Sequence, residues 1–211
     1  MSLALKLEQG LKQAGLDISA EKQQQLLAYL ALIQKWNKVH NLTAVRDPEQ
    51  MVILHLLDSL VVMPHIKVKR LLDVGSGAGL PGIPLAICMP DLQVTTLDSN
   101  QKKASFMRQA KAELGLSNLE VVSTRVEQYQ PAEKFEAVIS RAFSDLSLFV
   151  KLTQHLCAAS GNWLAMKGVV PEDELHELKA KTGIEPSVVV ALEVPFLDAQ
   201  RHLLFLPNKI Q

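Results

Sequence analysis

Residues 71–82 read Leu-Leu-Asp-Val-Gly-Ser-Gly-Ala-Gly-Leu-Pro-Gly, and the rest of the fold can be worked out from this stretch. A short apolar run ends at Gly75, and three more glycines follow before residue 83. So many missing side chains favour a backbone that turns tightly or lets a ligand approach closely. A strand, a glycine turn and a helix aim free backbone N–H groups at a bound cofactor. The stretch therefore predicts a cofactor-binding turn, followed by a helix with Pro81 at its first position.

The next apolar run, residues 94–97, ends in Asp98. An acidic side chain at the tip of the second parallel strand can accept hydrogen bonds from both ribose hydroxyls of a nucleoside cofactor. A glycine-rich turn without any ligand is the simpler alternative, but it would cost backbone entropy with no compensating contact. We therefore expect a nucleoside-containing cofactor.

The glycine spacing leaves two cofactor classes open. Gly77, Gly79 and Gly82 spell the G-x-G-x-x-G of dinucleotide-binding proteins. In that fingerprint, however, the first glycine closes the strand, and here Gly75 does so. Read from Asp73, the order D-x-G-x-G-x-G resembles the first motif of S-adenosylmethionine-dependent methyltransferases, which is the interpretation that we favour.

The composition is that of an ordinary globular protein without net charge. The chain has 211 residues, of which 48% are hydrophobic and 21% charged, with 22 basic and 22 acidic side chains. No apolar run reaches the ~20 residues of a membrane span, and Lys6 and Glu8 interrupt any secretory signal. Cys88 and Cys157 have no neighbouring Cys or His at metal-ligand spacing. We expect a cytoplasmic protein without disulfide, metal or membrane association.

Basic side chains are concentrated near the predicted cofactor turn, although the whole chain is neutral. Residues 66–111 hold seven basic and three acidic side chains, whereas residues 171–200 hold seven acidic side chains and two lysines. Such an asymmetry is consistent with a basic face on which phosphates dock, with Lys102 and Lys103 as candidate substrate-binding residues. A solvated helix face explains any single one of these lysines equally well.

The first seventy residues have helical periodicity. Apolar residues recur at helical spacing through two predicted helices, and the pattern breaks over residues 36–43, which favour a turn. Asp47 is then suited to cap a third helix. We therefore predict that residues 1–66 form a helical extension or cap and that residues 67–211 form the cofactor-binding domain.

From residue 70 onward, strands alternate with helices. Short β-branched runs predict strands at 71–74, 93–97, 119–122, 135–139 and 162–166, with helices near 81–88, 100–114, 145–157 and 171–182. This alternation predicts an α/β fold with an open, mostly parallel sheet and helices on both faces. Residues 188–194 and 202–206 are too close in sequence for a helical crossover, so these last strands are predicted to be antiparallel. The fold class is therefore a class I methyltransferase, Rossmann-like sheet with a C-terminal antiparallel hairpin and an N-terminal helical extension.

Beyond the glycine motif, the chain resembles the bacterial RsmG family, also called glucose-inhibited division protein B. The matching stretches are Trp-Asn-Lys at 36–38, Asn-Leu-Thr at 41–43, His-Leu-Leu-Asp-Ser-Leu at 55–60, the glycine motif at 73–84, Leu-Asp-Ser at 97–99 with the lysines at 102–103, Arg-Val-Glu at 125–127, Ser-Arg-Ala-Phe at 140–143, Met-Lys-Gly at 166–168 and Arg-His-Leu at 201–203. Members of this family methylate a guanine N7 in small-subunit ribosomal RNA. The resemblance implies S-adenosylmethionine as cofactor and 16S ribosomal RNA, naked or in the small subunit, as partner.

The resemblance also implies a set of cofactor-binding residues. The glycines are expected to let the backbone pass close to the methionine part, and Asp98 to take the ribose hydroxyls. Backbone groups of residues 126 and 127 are expected to contact the adenine edge, although a plain surface loop is the alternative there. The implied set is Gly75, Gly77, Gly79, Leu80, Asp98, Val126, Glu127 and Arg141.

Arg141 follows the fourth predicted strand and is expected over the methyl group. A cation at the end of an apolar strand is costly to bury without an anionic or hydrogen-bonding partner. The cofactor carboxylate, an RNA phosphate or the guanine O6 would each serve, and a structural salt bridge is the alternative. We expect Arg141 to be catalytic, and Phe143 to stack on the target base unless it belongs to the core.

Guanine N7 is already a nucleophile at neutral pH, so the reaction needs no general base and none of the six histidines has to be catalytic. Alignment and exclusion of water would supply the acceleration, about 7–11 kcal/mol when the geometry is right. His55 and Asp58 lie three residues apart on the third predicted helix. We expect them to bond each other and the loop at Asn41 rather than to act as an acid–base pair.

Two other functions remain open from sequence alone. The neutral charge fits a small-molecule methyltransferase of the same fold, and a cofactor-binding protein without turnover is a third possibility. For the leading interpretation we expect a monomer that binds RNA but no DNA.

Overall fold

Among the residues that the computed structural model describes, 2–209, seven strands form one sheet in the order β3-β2-β1-β4-β5-β7-β6. The strands are β1 (Arg70–Val74), β2 (Gln93–Leu97), β3 (Leu119–Val122), β4 (Phe135–Ser140), β5 (Cys157–Lys167), β6 (Val188–Ala191) and β7 (His202–Pro207). The first five strands are parallel to one another, and β7 is antiparallel to both β5 and β6. The predicted fold class, including the antiparallel C-terminal hairpin, is thus confirmed.

Four helices follow strands of the sheet, close to their predicted positions. They are α5 (Gly82–Cys88), α6 (Gln101–Leu114), α7 (Leu146–Thr153) and α8 (Glu172–Thr182). The prediction that Pro81 occupies the first position of its helix is wrong by one residue. Pro81 is the N-cap of α5, and the first helical residue, Gly82, donates its N–H to the Asp73 carboxylate (2.9 Å).

Residues before the sheet form helices α1 (Leu3–Gln13) and α2 (Ala20–His40) and a third helical segment. That segment consists of α3 (Pro48–Met51), a π-helical stretch (Val52–Leu57) and α4 (Asp58–Leu60), and a 3₁₀ turn (Met63–His65) follows. The predicted cap is confirmed, since the Asp47 carboxylate accepts a hydrogen bond from the Gln50 N–H (2.7 Å). The π-helical stretch has no counterpart in the prediction.

Helix α2 extends further than predicted. The turn expected over residues 36–43 begins only after His40, where Asn41 adopts a left-handed conformation with φ 48°. Trp36 lies within the helix and packs edge-on against Phe106 of α6, with ring centroids 5.6 Å apart. Tertiary packing of the indole ring therefore extends the helix past a point where local sequence favours a turn.

The two faces of the sheet are covered by different helices because successive strand side chains point to opposite sides. Leu71 packs in a cluster with α1, α2, α5 and α6, whereas Leu72 packs in a second cluster with α7 and α8. The first cluster is one continuous hydrophobic core that includes residues from Leu7 in α1 to Leu203 in β7. The predicted helical extension therefore shares one hydrophobic core with one face of the sheet.

The division into residues 1–66 and 67–211 stays a prediction, and residues 1 and 210–211 lie outside the described chain. Within residues 2–209, no helix is long and apolar enough to cross a membrane.

A buried amide supports the end of α5. The Asn118 side-chain Nδ2 lies 2.9–3.1 Å from the carbonyl oxygens of Ala86, Met89 and Leu92. Asn118→Ala should therefore lower the free energy of unfolding by about 1–3 kcal/mol, because buried carbonyls lose their donor. Urea denaturation measures this, with Ser117→Ala at the adjacent exposed position as control, expected within about 0.5 kcal/mol of wild type. Equal losses in the two variants would contradict the assignment.

Candidate functional site: a cofactor cleft and a basic cavity

The glycine turn leaves β1 in a conformation that ordinary residues avoid. Gly75, Gly77 and Gly79 all have positive φ, at 70°, 61° and 89°. The N–H groups of Gly75 and Ser76 donate to the Leu97 carbonyl at the end of β2 (2.8 and 3.3 Å). The turn is thus bonded to the neighbouring strand as soon as it leaves the sheet, at the carboxyl edge where open α/β sheets bind ligands.

Two carboxylates hold the turn at its beginning and its end. Asp98 accepts a hydrogen bond from Gly77 N–H (2.9 Å), and its other oxygen accepts from Asn100 N–H (2.8 Å). Asp73 accepts from Gly82 N–H (2.9 Å). The sequence motif begins at Asp73, but sequence reasoning gave this residue no role. Its position between strand and glycines was the available signal.

A third support comes from the N-terminal helices. The Tyr29 hydroxyl of α2 donates to the carbonyl oxygen of Ala78, in the middle of the turn. Tyr29 is completely buried and packs against Phe106, with ring centroids 6.2 Å apart. Burial raises the pKa of Tyr29 well above its usual value, so the hydroxyl stays protonated and can donate. No sequence pattern indicates this contact, which joins residues 49 positions apart.

Asp73 is fully buried and only half satisfied. One carboxylate oxygen accepts from Gly82, while the other has no hydrogen-bond partner. Burial raises the pKa of Asp73 to about 7, against the opposing effect of the Gly82 N–H. The missing partner favours the protonated form for the same reason, because an unpaired charged oxygen is costly to bury.

A cavity of about 390 Å³ opens beside the turn. Five of the predicted site residues line it: Gly75, Asp98, Val126, Glu127 and Phe143. Ser99, Thr124 and Arg125 complete its polar wall and were not predicted. Its size is that of a site for a small organic ligand. The structure thus brings together residues that follow four different strands.

Four of the predicted cofactor residues lie outside the cavity wall: Arg141, and the three turn residues Gly77, Gly79 and Leu80. A Cβ added to Gly77 would meet no atom within 4 Å, so this position faces open space. A Cβ on Gly79 would collide with the Ile83 side chain, and Leu80 is buried in the core with 8% exposure. Gly79 is therefore required by packing within the turn itself. Cofactor contact at these three positions stays a prediction.

Arg141 lies in a cluster of charges rather than in this cavity. Its guanidinium is 3.4 Å from the Asp58 carboxylate and donates to the Leu54 carbonyl oxygen (3.2 Å). Arg201 binds the other Asp58 oxygen at 3.0 Å. Both arginines border a second cavity of about 200 Å³, together with Lys167. The salt bridge named as the alternative for Arg141 is thus present, and a catalytic role stays a prediction.

The expected contact between His55 and Asp58 is not formed. His55 Nε2 lies 3.0 Å from the Thr43 hydroxyl, and Asp58 binds the two arginines instead. The π-helical stretch ends between these residues, so regular α-helical spacing does not describe their positions. Burial lowers the pKa of His55, which keeps its imidazole neutral at pH 7.

The predicted substrate-binding residues occupy two different environments. Phe143 is half-buried and stacks on Phe149 (5.0 Å between centroids), so it belongs to the core on one side and to the cavity on the other. Lys102 is exposed and Lys103 half-buried in the first turn of α6. Both of their backbone N–H groups donate to the Asn100 cap (3.0 and 3.2 Å).

A larger depression, of about 830 Å³, lies along the loop that joins β6 and β7. Residues 191–202 form almost its entire wall, and no residue of the glycine turn takes part. We therefore do not regard it as the cofactor site. Burial raises the pKa of Cys88 and Cys157 to about 12, and within residues 2–209 no group of three His, Cys, Asp or Glu could hold a metal.

The strand order, the glycine turn after β1 and the acidic residue after β2 define a class I S-adenosylmethionine-dependent methyltransferase fold. Solved structures share it: an S-adenosylmethionine-dependent methyltransferase from Aquifex aeolicus (TM-score 0.60, 17% identity, 82% of this chain and 97% of that one) and the mitomycin 7-O-methyltransferase MmcR (TM-score 0.61, 12% identity, 76% and 56%). The family model for rRNA small subunit methyltransferase G matches residues 22–204, and the chain belongs to this family.

Relatives of similar length support the family assignment. Ribosomal RNA small subunit methyltransferase G of Methylobacillus flagellatus is 66% identical over 204 residues, which is 97% of this chain and 98% of that protein. The protein of the same name from Laribacter hongkongensis is 50% identical over 206 residues, 98% and 99% of the two chains. The family membership predicted from the motifs is therefore confirmed.

The raised pKa of Asp73 makes stability depend on pH. From its ordinary value of 3.8 up to about 7, the folded protein holds a proton that the unfolded chain has lost. This group's contribution to stability therefore falls as pH rises through that window and is constant above it. Asp73→Asn removes this titratable group. The free energy of unfolding of the variant, relative to that of wild type, should therefore rise from pH 4 to 7 and stay constant at higher pH. Urea denaturation at several pH values measures the difference, and a pH-independent difference would contradict this prediction.

Proposed function

We propose that this protein transfers the methyl group of S-adenosylmethionine to N7 of a guanine in 16S ribosomal RNA. The observation that carries the proposal is the pair of cavities at the carboxyl edge of the sheet. Asp98 borders the first and Arg141 the second, and Phe143, two residues after Arg141, borders the first again. Membership in the rRNA small subunit methyltransferase G family supports RNA as the substrate.

The first cavity fits the cofactor. Each Asp98 oxygen accepts one backbone N–H and keeps a lone pair, which suits the two ribose hydroxyls. The open space at Gly77 suits the methionine part, and the backbone at Val126 and Glu127 suits the adenine edge. The bound cofactor supplies an electrophilic methyl group on a sulfonium.

The second cavity fits an anionic or electron-rich substrate. Arg141 and Arg201 share one carboxylate, that of Asp58, so one positive charge is left in excess at the cavity wall. Lys167 adds no further excess, because it is paired with Glu174 (2.8 Å). We assign Arg141 to the guanine O6 or an adjoining phosphate, and Phe143 to stacking on the base.

Methylation at N7 requires the protein to align the base with the methyl group but not to transfer a proton. The lone pair attacks directly, and no side chain has to accept a proton. His55 suits a positioning role, because its neutral ring is bonded to Thr43 and holds the loop after α2. Fixing the base in line with the methyl group is worth about 7–11 kcal/mol. We further propose that the protein acts as a monomer in the cytoplasm, without DNA or a membrane as partner.

Transfer of labelled methyl groups from S-adenosylmethionine tests the proposal. The substrates are small ribosomal subunits, and naked 16S RNA, from cells that lack the endogenous modification, followed by mapping of the labelled base. We expect label on a single guanine, at N7. Cofactor binding without transfer to either substrate would instead favour small-molecule methylation or binding without turnover.

Gly77→Val should abolish S-adenosylmethionine binding, because the branched side chain would project into the open space assigned to the ligand. Gly15→Val is a matched control, since Gly15 also has a positive φ (68°) with no atom within 4 Å of an added Cβ. Both variants carry the same backbone strain, so calorimetry should find unchanged affinity in the control alone. Equal affinities in the two folded variants would contradict the cofactor site.

Arg141 and the lysines of α6 should have separable effects on RNA methylation. Replacing Lys102 and Lys103 by Ala should weaken RNA binding and lower the log–log salt slope by up to about one unit per lost phosphate contact. Arg141→Gln should instead lower turnover at saturating RNA, with little change in salt slope, because alignment is lost. Steady-state kinetics over a salt series, at a temperature where circular dichroism shows each variant folded, distinguishes them. Unchanged turnover in Arg141→Gln would leave the salt bridge to Asp58 as its whole role.

A further inference from the structure

A basic surface lies where the end of α2 meets the beginning of α6, and we call it the α2–α6 rim. Its residues are exposed or half-buried. They come from the last turns of α2, from the loop that follows α2 and from the first turn of α6. They are Lys35, Lys38, Val39, His40, Arg46, Lys102 and Lys103. Most of these residues come from the N-terminal helical segment rather than from the sheet.

Helix packing brings the two parts of the rim together. Gln25, early in α2, donates to the Leu114 carbonyl at the end of α6 (3.2 Å). Trp36, late in α2, packs on Phe106 in the first half of α6 (5.6 Å). The helices are therefore antiparallel, and the end of α2 lies beside the beginning of α6. Because α6 begins just after Asp98, the rim adjoins the cofactor cavity.

The loop behind α2 connects the rim to the second cavity. Thr43 in this loop contacts His55 of the π-helical stretch (3.0 Å). The preceding residue of that stretch, Leu54, binds the Arg141 guanidinium through its carbonyl oxygen (3.2 Å). A chain of contacts therefore links the loop behind α2 to Arg141 at the second cavity.

The cations of the rim have no carboxylate partners. Within residues 2–209, none of its lysines is within 4.0 Å of an Asp or Glu oxygen. Arg46 donates only to neutral acceptors, the Asn37 carbonyl oxygen (3.2 Å) and the Asn41 side chain (2.8 Å). The adjacent Asp47 carboxylate caps α3. The lysines of α8, by contrast, are paired with Glu185 and Glu177.

Stabilisation of the helix end explains only part of the rim. Cations in a last turn offset the helix dipole, and Lys38 does this for α2. Arg46 contributes to the same end, because it donates to the Asn37 carbonyl oxygen in the last turn of α2. The effect does not account for Lys102 and Lys103, which lie at the beginning of α6, or for Val39, which is 74% exposed. Unpaired cations around an exposed apolar side chain are what a phosphodiester backbone with accessible sugar and base surface would contact.

We infer that the α2–α6 rim binds the phosphate backbone of the RNA strand that carries the target guanine. The inference rests on the proposed function and extends it, because it assigns RNA docking to the N-terminal helical segment. Arg141 then contacts the target nucleotide, while the rim binds the phosphates of the adjacent nucleotides. Contacts of this kind position the RNA and are sensitive to salt.

The first experiment compares two double variants of equal charge. Lys35→Ala with Lys38→Ala removes two rim cations, and Lys134→Ala with Lys151→Ala removes two exposed lysines elsewhere. Lys38 and Lys151 both lie in the last turn of a helix, so the loss of dipole compensation is matched. Binding of fluorescently labelled 16S RNA is measured over a salt series by anisotropy. The rim variant should lower the log–log salt slope by about 0.7 per lost contact to a single strand, and the control should not.

The second experiment changes the sign of the charge at one position. Val39→Glu and Val39→Lys introduce long helix-compatible side chains at the same exposed site. The first should weaken 16S RNA binding at least threefold relative to the second, while both keep wild-type affinity for S-adenosylmethionine. Equal RNA affinity of the two would overturn the inference.

The outcomes separate this inference from the proposed function. If wild type methylates 16S RNA but the rim and control double variants have the same salt slope, the rim inference is overturned and the function stands. If wild type neither binds nor methylates RNA, both are overturned. If the rim variants lose binding to small subunits but not to naked RNA, the partner of the rim is a protein, which also overturns the inference.

Discussion

The rest of the structure depends on the turn at residues 75–82, whose left-handed backbone conformation is held by hydrogen bonds to two carboxylates. Three of its glycines are left-handed, and the Asp98 carboxylate accepts the N–H of one of them, Gly77. The Asp73 carboxylate accepts the N–H of Gly82 at the end of the turn. Both carboxylates are almost completely buried. The turn is bonded to the end of β2, borders the first cavity and leads into helix α5, so its hydrogen bonds determine where a cofactor can lie.

The N-terminal helices take part in the same constraint. Tyr29 reaches the middle of the turn, and the π-helical stretch supplies the carbonyl that binds Arg141. The helical segment therefore supports both cavities. Its apolar residues also belong to the same continuous core as one face of the sheet. A substitution that displaces α2 should consequently alter the cofactor turn as well as the α2–α6 rim, to which we assign RNA binding.

Charge is distributed in a way that suits methyl transfer to an electron-rich base. The buried Asp58 carboxylate fixes two arginines at the second cavity, which leaves one positive charge in excess there. Within the described part of the chain, the lysines of the α2–α6 rim form a separate group of cations without carboxylate partners. The buried imidazole of His55 is neutral and bonded to Thr43. A neutral net charge thus conceals a local asymmetry, because acidic side chains are concentrated in the later part of the sequence.

The sequence by itself determined the sheet, its antiparallel last strands, the glycine turn and the residues that line much of the first cavity, because each depends on local periodicity or on spacing from a strand end. Family membership was likewise readable from short motifs. Only the tertiary structure decided the partners of Asp58 and His55, the length of α2 past Trp36 and the contact of Tyr29 with the turn. These features join residues far apart in the chain, and a single sequence carries no local signal for a contact made by packing. The salt bridge of Arg141 is the clearest case: the sequence indicated that a cation at the end of an apolar strand needs a partner, and tertiary packing supplies Asp58.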